Sequence, residues 1–152
     1  MQSAKKPVQR CLVFLIAAAP LSACFTEETD EFEPNDTLAE ATPFPSNSGV
    51  LTGRIDADGD IDYFSFSLET PAGVRIFTEG VSDECSLDTT LDLKDSDGDV
   101  IEFDDDGGTG LCSRIERVLF DGVYFIRVRS VFEDPGDYTL HLAVDGSETE
   151  PQ

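Results

Sequence analysis

From Val50 to Val144 the chain is a succession of short runs in which apolar and polar residues alternate, and a period of two residues is the period of a half-buried strand. Phe64, Phe66 and Leu68 fall on one face while Ser65 and Ser67 fall on the other. Tyr124, Ile126 and Val128 oppose Arg127 and Arg129, and Tyr138, Leu140, Leu142 and Val144 oppose Thr139 and His141. The runs predict strands at Val50 to Ile55, Tyr63 to Leu68, Gly73 to Thr78, Thr90 to Lys94, Val100 to Phe103, Arg114 to Phe120, Val123 to Ser130 and Asp137 to Val144. Asp97-Gly98 and Asp121-Gly122 carry hairpin signals, and Asp134-Pro135-Gly136 marks a longer turn. No stretch has a helical period and the connections are short. The expected fold is therefore all-β, an antiparallel β-sandwich of jelly-roll type with about eight strands. It occupies residues 49–144 as one domain, and the polar segment 145–152 is expected to be a disordered tail.

The residues ahead of this domain have a different texture. Lys5, Lys6 and Arg10 precede an apolar run, Cys11 to Ala19, that is too short to cross a bilayer as a mature helix, so 1–23 reads as a signal peptide. At its end Leu21-Ser22-Ala23-Cys24 resembles the lipobox of bacterial lipoproteins, where cleavage precedes the cysteine and acyl chains are added to it. That resemblance implies lipidation of Cys24, a membrane partner through the anchor, and an exported protein held in the cell envelope. Phe25, where an acidic residue would signal retention, resembles lipoproteins sorted to the outer membrane. Residues 24–48 are polar, acidic and punctuated by Pro34, Pro43 and Pro45, and read as a tether and lead-in linker with one helical turn within Thr37 to Thr42.

Cysteine use follows from this. Cys11 leaves with the leader and Cys24 takes the lipid, so Cys85 and Cys112 remain to form a disulfide in an oxidising compartment; the alternative is two free thiols. With His141 as the only histidine, these two cysteines do not make a structural zinc site. Loss of Lys5, Lys6 and Arg10 with the leader leaves seven bases against 32 acids, a mature balance of −25. Such a field excludes nucleic acid as a partner, disfavours anionic membrane surfaces and favours cations.

Two segments offer a cation its oxygens. Glu31-Phe32-Glu33-Pro34-Asn35-Asp36 is kept out of helix by its proline, and Asp56-Ala57-Asp58-Gly59-Asp60-Ile61-Asp62-Tyr63 follows a loop and one strand later. We read them as two halves of one calcium site. Neither Asp56-x-Asp58-x-Asp60 nor Asp95-x-Asp97-x-Asp99 is followed by the glycine an EF-hand loop needs, so that motif is excluded. Asp95 to Asp99 reads as a hairpin tip. Asp104-Asp105-Asp106 admits two readings, a solvated loop or a cation site.

The order of these signals resembles a known family. Glu33-Pro34-Asn35-Asp36, Gly53, Gly59-Asp60-Ile61-Asp62-Tyr63-Phe64-Ser65-Phe66, Leu93-Lys94-Asp95-Ser96-Asp97-Gly98, Asp105-Asp106, Gly122-Val123-Tyr124-Phe125-Ile126-Arg127-Val128 and Gly136-Asp137-Tyr138-Thr139-Leu140 together resemble the bacterial pre-peptidase C-terminal domain, from Glu31 to Val144. The resemblance implies a jelly-roll sandwich of the kind appended to secreted peptidases. In some members, collagen-binding modules of clostridial collagenases among them, calcium is held between the linker and a loop of the sandwich. On matched positions it implies Glu31, Glu33, Asn35 and Asp36 as linker ligands, with Asp60 and Asp62 ahead of the Tyr-Phe strand. The plainer reading makes the glutamates tether solubility, Asn35-Asp36 a cap on the Thr37 turn, and Asp58 to Asp62 a solvated turn.

Collagen binding is not carried over, because the aromatics those modules use have no match here. Enzymatic chemistry has little to work with: His141 is expected on the wet face of the last strand, and a carboxylate pair would need a deep sugar cleft. The expectation is a non-catalytic, calcium-binding, lipid-anchored envelope module, standing without a peptidase domain ahead of it, for an unknown protein or polysaccharide ligand. The alternative is a structural spacer or an accessory subunit of a separately encoded secreted peptidase.

Overall fold

The computed structural model describes residues 29–46, 48–56, 59–80 and 85–145. Its strands are β1 (Thr29–Asp30), β2 (Thr42–Pro43), β3 (Gly49–Ile55), β4 (Asp62–Leu68), β5 (Ala72–Gly80), β6 (Thr89–Lys94), β7 (Val100–Asp104), β8 (Arg114–Leu119), β9 (Gly122–Ser130) and β10 (Gly136–Asp145). One sheet is ordered β1-β3-β10-β5-β8 and the other β2-β4-β9-β6-β7. Counted from β3, the eight long strands lie in the orders 1-8-3-6 and 2-7-4-5, which is the jelly roll. Each long strand begins and ends within one or two residues of its sequence expectation, because the alternation that predicts it also faces the core. Phe64, Ile76, Leu91, Leu93, Ile126, Val128, Tyr138 and Leu140 are all buried between the sheets. Each such aliphatic or aromatic side chain stabilises the sandwich by roughly 1.5–3 kcal/mol relative to exposure.

The turns divide into two kinds. Asp97-Gly98 does close a hairpin: β6 and β7 pair antiparallel, Gly98 takes φ +84°, and the Asp95 carboxylate accepts the backbone N–H groups of Asp97 and Asp99 at 3.0 Å each. That carboxylate is thus occupied by backbone, as an Asx-type turn requires. Asp121-Gly122 is not a hairpin. It joins β8 in one sheet to β9 in the other, carrying the chain across the end of the sandwich. An Asp-Gly pair reports a tight reversal and not whether the strands it joins are partners.

The lead-in segment is more than a linker. β1 pairs parallel with β3 and β2 parallel with β4, with a 3-10 turn at Leu38–Glu40 between them. Asp145 still belongs to β10, and residues 146–152 lie outside the described residues, as do the apolar run Cys11 to Ala19, Cys24 and Asp58. Among the described residues no helix is long and apolar enough to cross a membrane.

Cys85 and Cys112 are joined by a disulfide with their Cα atoms 5.5 Å apart. It ties the β5–β6 connection to the β7–β8 connection across 27 residues of chain. A closed loop of that size stabilises by restricting the unfolded chain, by about 3.5 kcal/mol. Replacing both cysteines by alanine is expected to lower the unfolding free energy by that amount in urea titration; a loss near zero would mean the connections are held without the bond.

Candidate metal centre

β1 runs alongside β3, and this fixes the first acidic segment. The Glu31 N–H donates to Thr52 O at 3.0 Å, which turns the Glu31 side chain inward, where its Oε1 accepts the Arg54 N–H at 2.6 Å. After the Glu33-Pro34 peptide, which is cis, the chain turns under the start of β4. There the Tyr63 N–H donates to Asn35 O at 2.9 Å and the Asn35 side chain is fully buried. Asn35 bridges the two glutamates: its backbone N–H donates to Glu33 Oε2 at 3.2 Å and its Nδ2 to Glu31 Oε2 at 3.3 Å. Asp62, the first residue of β4 and also fully buried, completes the group. Carboxylate oxygens of Glu31, Glu33 and Asp62 lie within 4.8 Å of one another.

What is missing from this group is as informative as what it holds. Asn35 Oδ1 and Asp62 Oδ1 are buried acceptors without a hydrogen-bond partner. A buried acceptor left unpaired costs about 1–3 kcal/mol, more when charged, and here two sit beside two further carboxylates. The Arg54 guanidinium does not serve them, since it pairs with Asp56 at 2.9 Å and Asp137 at 2.6 Å on the outer face. Burial, and then the Glu31 charge, push Asp62 up to about 9. Burial pushes Glu31 up to about 7, and burial followed by the Asp60 charge raises Glu33. A hard cation with oxygen ligands would satisfy the orphaned acceptors and the repelling charges together, so the residues present fit calcium.

Asp36 and Asp60 stand outside this group of three carboxylates. The Asp60 oxygens accept the N–H groups of Asp56 at 2.6 Å and Ile61 at 3.0 Å, and its carboxyl is raised by burial and by contact with Asp36. Asp36 follows Asn35 directly and Asp60 stands two residues before Asp62, so both form an acidic rim to the group. Of the other acidic runs, Asp104 is spent on the N–H groups of Gly107 and Arg114, whereas Asp105 and Asp106 approach Asp88 across the β7–β8 connection.

Two residues that sequence reasoning left without a role hold Asp62 in place. The Tyr138 hydroxyl donates to Asp62 Oδ2 at 2.5 Å, while Oδ1 has no hydrogen-bond partner. Tyr138 reaches it by lying across Gly53, its cross-strand partner. A Cβ on Gly53 would fall inside the phenol ring, against Cζ and the hydroxyl. The signal was a glycine in the interior of a strand, which marks a close approach.

His141 is half-buried rather than free on a wet face. Its ring stacks on Phe77 with centroids 4.3 Å apart, and its Nε2 meets Glu79 at 3.0 Å.

Comparison with known proteins agrees with this architecture. Residues 60–130 match the profile of the bacterial pre-peptidase C-terminal domain. A probable subtilase-type serine protease of Deinococcus radiodurans is 32% identical over 110 residues, covering 66% of this chain but only 14% of that protein. The pre-peptidase C-terminal domain of a collagenase from Bacillus anthracis superposes with a TM-score of 0.57 at 16% identity, over 68% of this chain and 95% of that one. A periplasmic inhibitor of g-type lysozyme from Aeromonas hydrophila superposes with a TM-score of 0.54 at 12% identity, over 78% and 99%. At such identities the two structures speak for the fold alone. With the profile match, the related protease segment and the shared jelly roll in agreement, residues 60–130, the greater part of the sandwich, belong to the bacterial pre-peptidase C-terminal domain family.

Proposed function

We propose that the chain is a non-catalytic, calcium-binding module, lipid-anchored through Cys24 in the cell envelope, that presents its sandwich to a protein or polysaccharide ligand. The observation that carries the calcium reading is the pair of buried, unpartnered oxygens, Asn35 Oδ1 and Asp62 Oδ1, on two side chains that adjoin the carboxylates of Glu31 and Glu33. Bound there, calcium would join the lead-in segment to the start of β4, with Asp36 and Asp60 as further oxygens at the rim. Support for the non-catalytic reading comes from the side chains: His141 is stacked and paired, and Cys85 and Cys112 are bonded to each other. The leader and the Leu21-Ser22-Ala23-Cys24 sequence support export and anchoring, with the outer membrane as the destination.

Calorimetric titration of the chelator-treated protein tests the site. Binding of at least one calcium ion is expected, with affinity lost at least tenfold in Asp62→Asn, which keeps the shape and removes the charge. Titration heats indistinguishable from buffer in the wild-type chain would sink the reading.

A second reading is favoured by the protease relative, of which this chain matches only 14%. In it the module serves as an accessory subunit of a separately encoded secreted peptidase. Co-purification of one defined peptidase from solubilised envelopes, at fixed stoichiometry, separates this from a receptor for a free ligand.

A further inference from the structure

We propose that the β8–β9 connection, with Val118, Phe120 and Val123 around it, seats the sandwich in the interfacial layer of the membrane to which Cys24 is tied. The inference rests on the lipid-anchor reading above and adds to it the part of the domain that meets the lipid. Val118 and Phe120 are each 76% exposed and Val123 is 48% exposed. Val118 lies on the outer face of one sheet, since its neighbour Leu119 is buried; Val123 lies on the outer face of the other, opposite the exposed Ser67. Phe120 sits on the connection between them. Apolar side chains therefore surround a tip and do not line a sheet face. The tip is firmly rooted: Leu119 is in the core, and the Tyr124 hydroxyl donates to Phe120 O at 3.0 Å.

How far the anchored residue can reach identifies the occupant. Thr29 stands level with Leu51, Leu51 with Leu140, and Leu140 with Thr78. Val118 stands level with Gly73, five residues further along β5. Five strand residues span about 17 Å. Because β1 is parallel to β3, its N-terminal end points toward this same end of the sandwich. Cys24 precedes Thr29 by five residues, which even when fully extended reach only about 17 Å. Cys24 thus rises no further than the level of Val118, and Phe120 lies two residues beyond it. Acyl chains on Cys24 enter the bilayer at its surface, so that surface meets the tip, and a less extended path brings it closer. β1 and β8 form opposite edges of the sheet, four strand spacings or roughly 19 Å apart, a distance one membrane plane covers. The exposed Asp121 on the tip makes the preferred surface zwitterionic rather than anionic.

The sequence contains no tryptophan, so single substitutions give clean reporters. Phe120→Trp reports the tip, and Phe132→Trp, at a 70% exposed position on the β9–β10 connection, reports the opposite end. The full lipidated chain is reconstituted into dioleoylphosphatidylcholine vesicles doped with brominated phosphatidylcholine. Bromine is expected to quench the tryptophan at 120 at least twofold and to leave the one at 132 unchanged, with the reverse order for acrylamide in the aqueous phase. Equal bromine quenching at both positions, in a chain that mass spectrometry shows acylated at Cys24, overturns the seating and leaves the anchor intact. A chain without acylation at Cys24 overturns both.

Discussion

Calcium at about one hundred times its dissociation constant is expected to stabilise the chain by about 2.7 kcal/mol, a rise in melting temperature of roughly 10 °C for a domain of this size. The size of that rise should depend on pH in a defined direction. In the ion-free fold Glu31 stands at about 7 and Asp62 at about 9, against ordinary values of 4.5 and 3.8. Both are raised, so the folded state keeps protons that the unfolded chain has already released. Their stabilising contribution is fully present below about pH 4 and is lost as pH climbs through about 7 and then about 9. A bound cation takes the place of those protons and holds better as the carboxyls ionise. Melting curves with calcium and with chelator should therefore converge near pH 4 and diverge steadily toward pH 9. Parallel curves across that range would mean the ion, if it binds, binds elsewhere.

Gly53→Ala is expected to be among the most damaging single substitutions in the sandwich, although it adds one methyl group. That methyl would occupy the place of the Tyr138 ring, which is 1% exposed and has nowhere to retreat without opening the core. Overpacking of this kind costs roughly 1–3 kcal/mol, and displacement of the phenol also frees Asp62 Oδ2 from its donor. The loss should exceed 3 kcal/mol in denaturant titration and should be accompanied by weaker calcium binding. Tyr138→Phe separates the two effects: it keeps the ring and removes only the hydroxyl, so its loss should be smaller and confined to the site. Equal stability of Gly53→Ala and wild type would refute the close approach.

How much of this was legible in the sequence depends on the length over which a pattern repeats. Strands such as Asp62–Leu68 and Gly122–Ser130 announce themselves because several alternating residues share one face. Thr29–Asp30 and Thr42–Pro43 are too short for any period, and their place is set by what they pair with, not by their own residues. The Asp121-Gly122 signal shows the same boundary, since a turn is local and sheet membership is not. At the site, Glu31, Glu33, Asn35 and Asp62 stood out as oxygen donors in two nearby segments, and the fold brings them together. Asp36 and Asp60 carried the same signal, yet their carboxylates are not among the three that converge. Tyr138 looked like one more core residue. Its hydroxyl finds Asp62 from 76 residues away, a relation that alternation in one strand cannot express.

The two-residue strands of the lead-in segment have a consequence for how this polypeptide can safely be cut. β1 closes the outer edge of one sheet beside β3, and β2 closes the corresponding edge of the other beside β4. A protein begun at Gly49, where the regular strands start, would lose only Phe44 from its hydrophobic core and yet present two bare rows of peptide groups along one flank. Such rows are templates for further strands from other chains. A stretch that reads as dispensable tether is thus a selvedge, the woven border that keeps two fabrics from fraying into their neighbours.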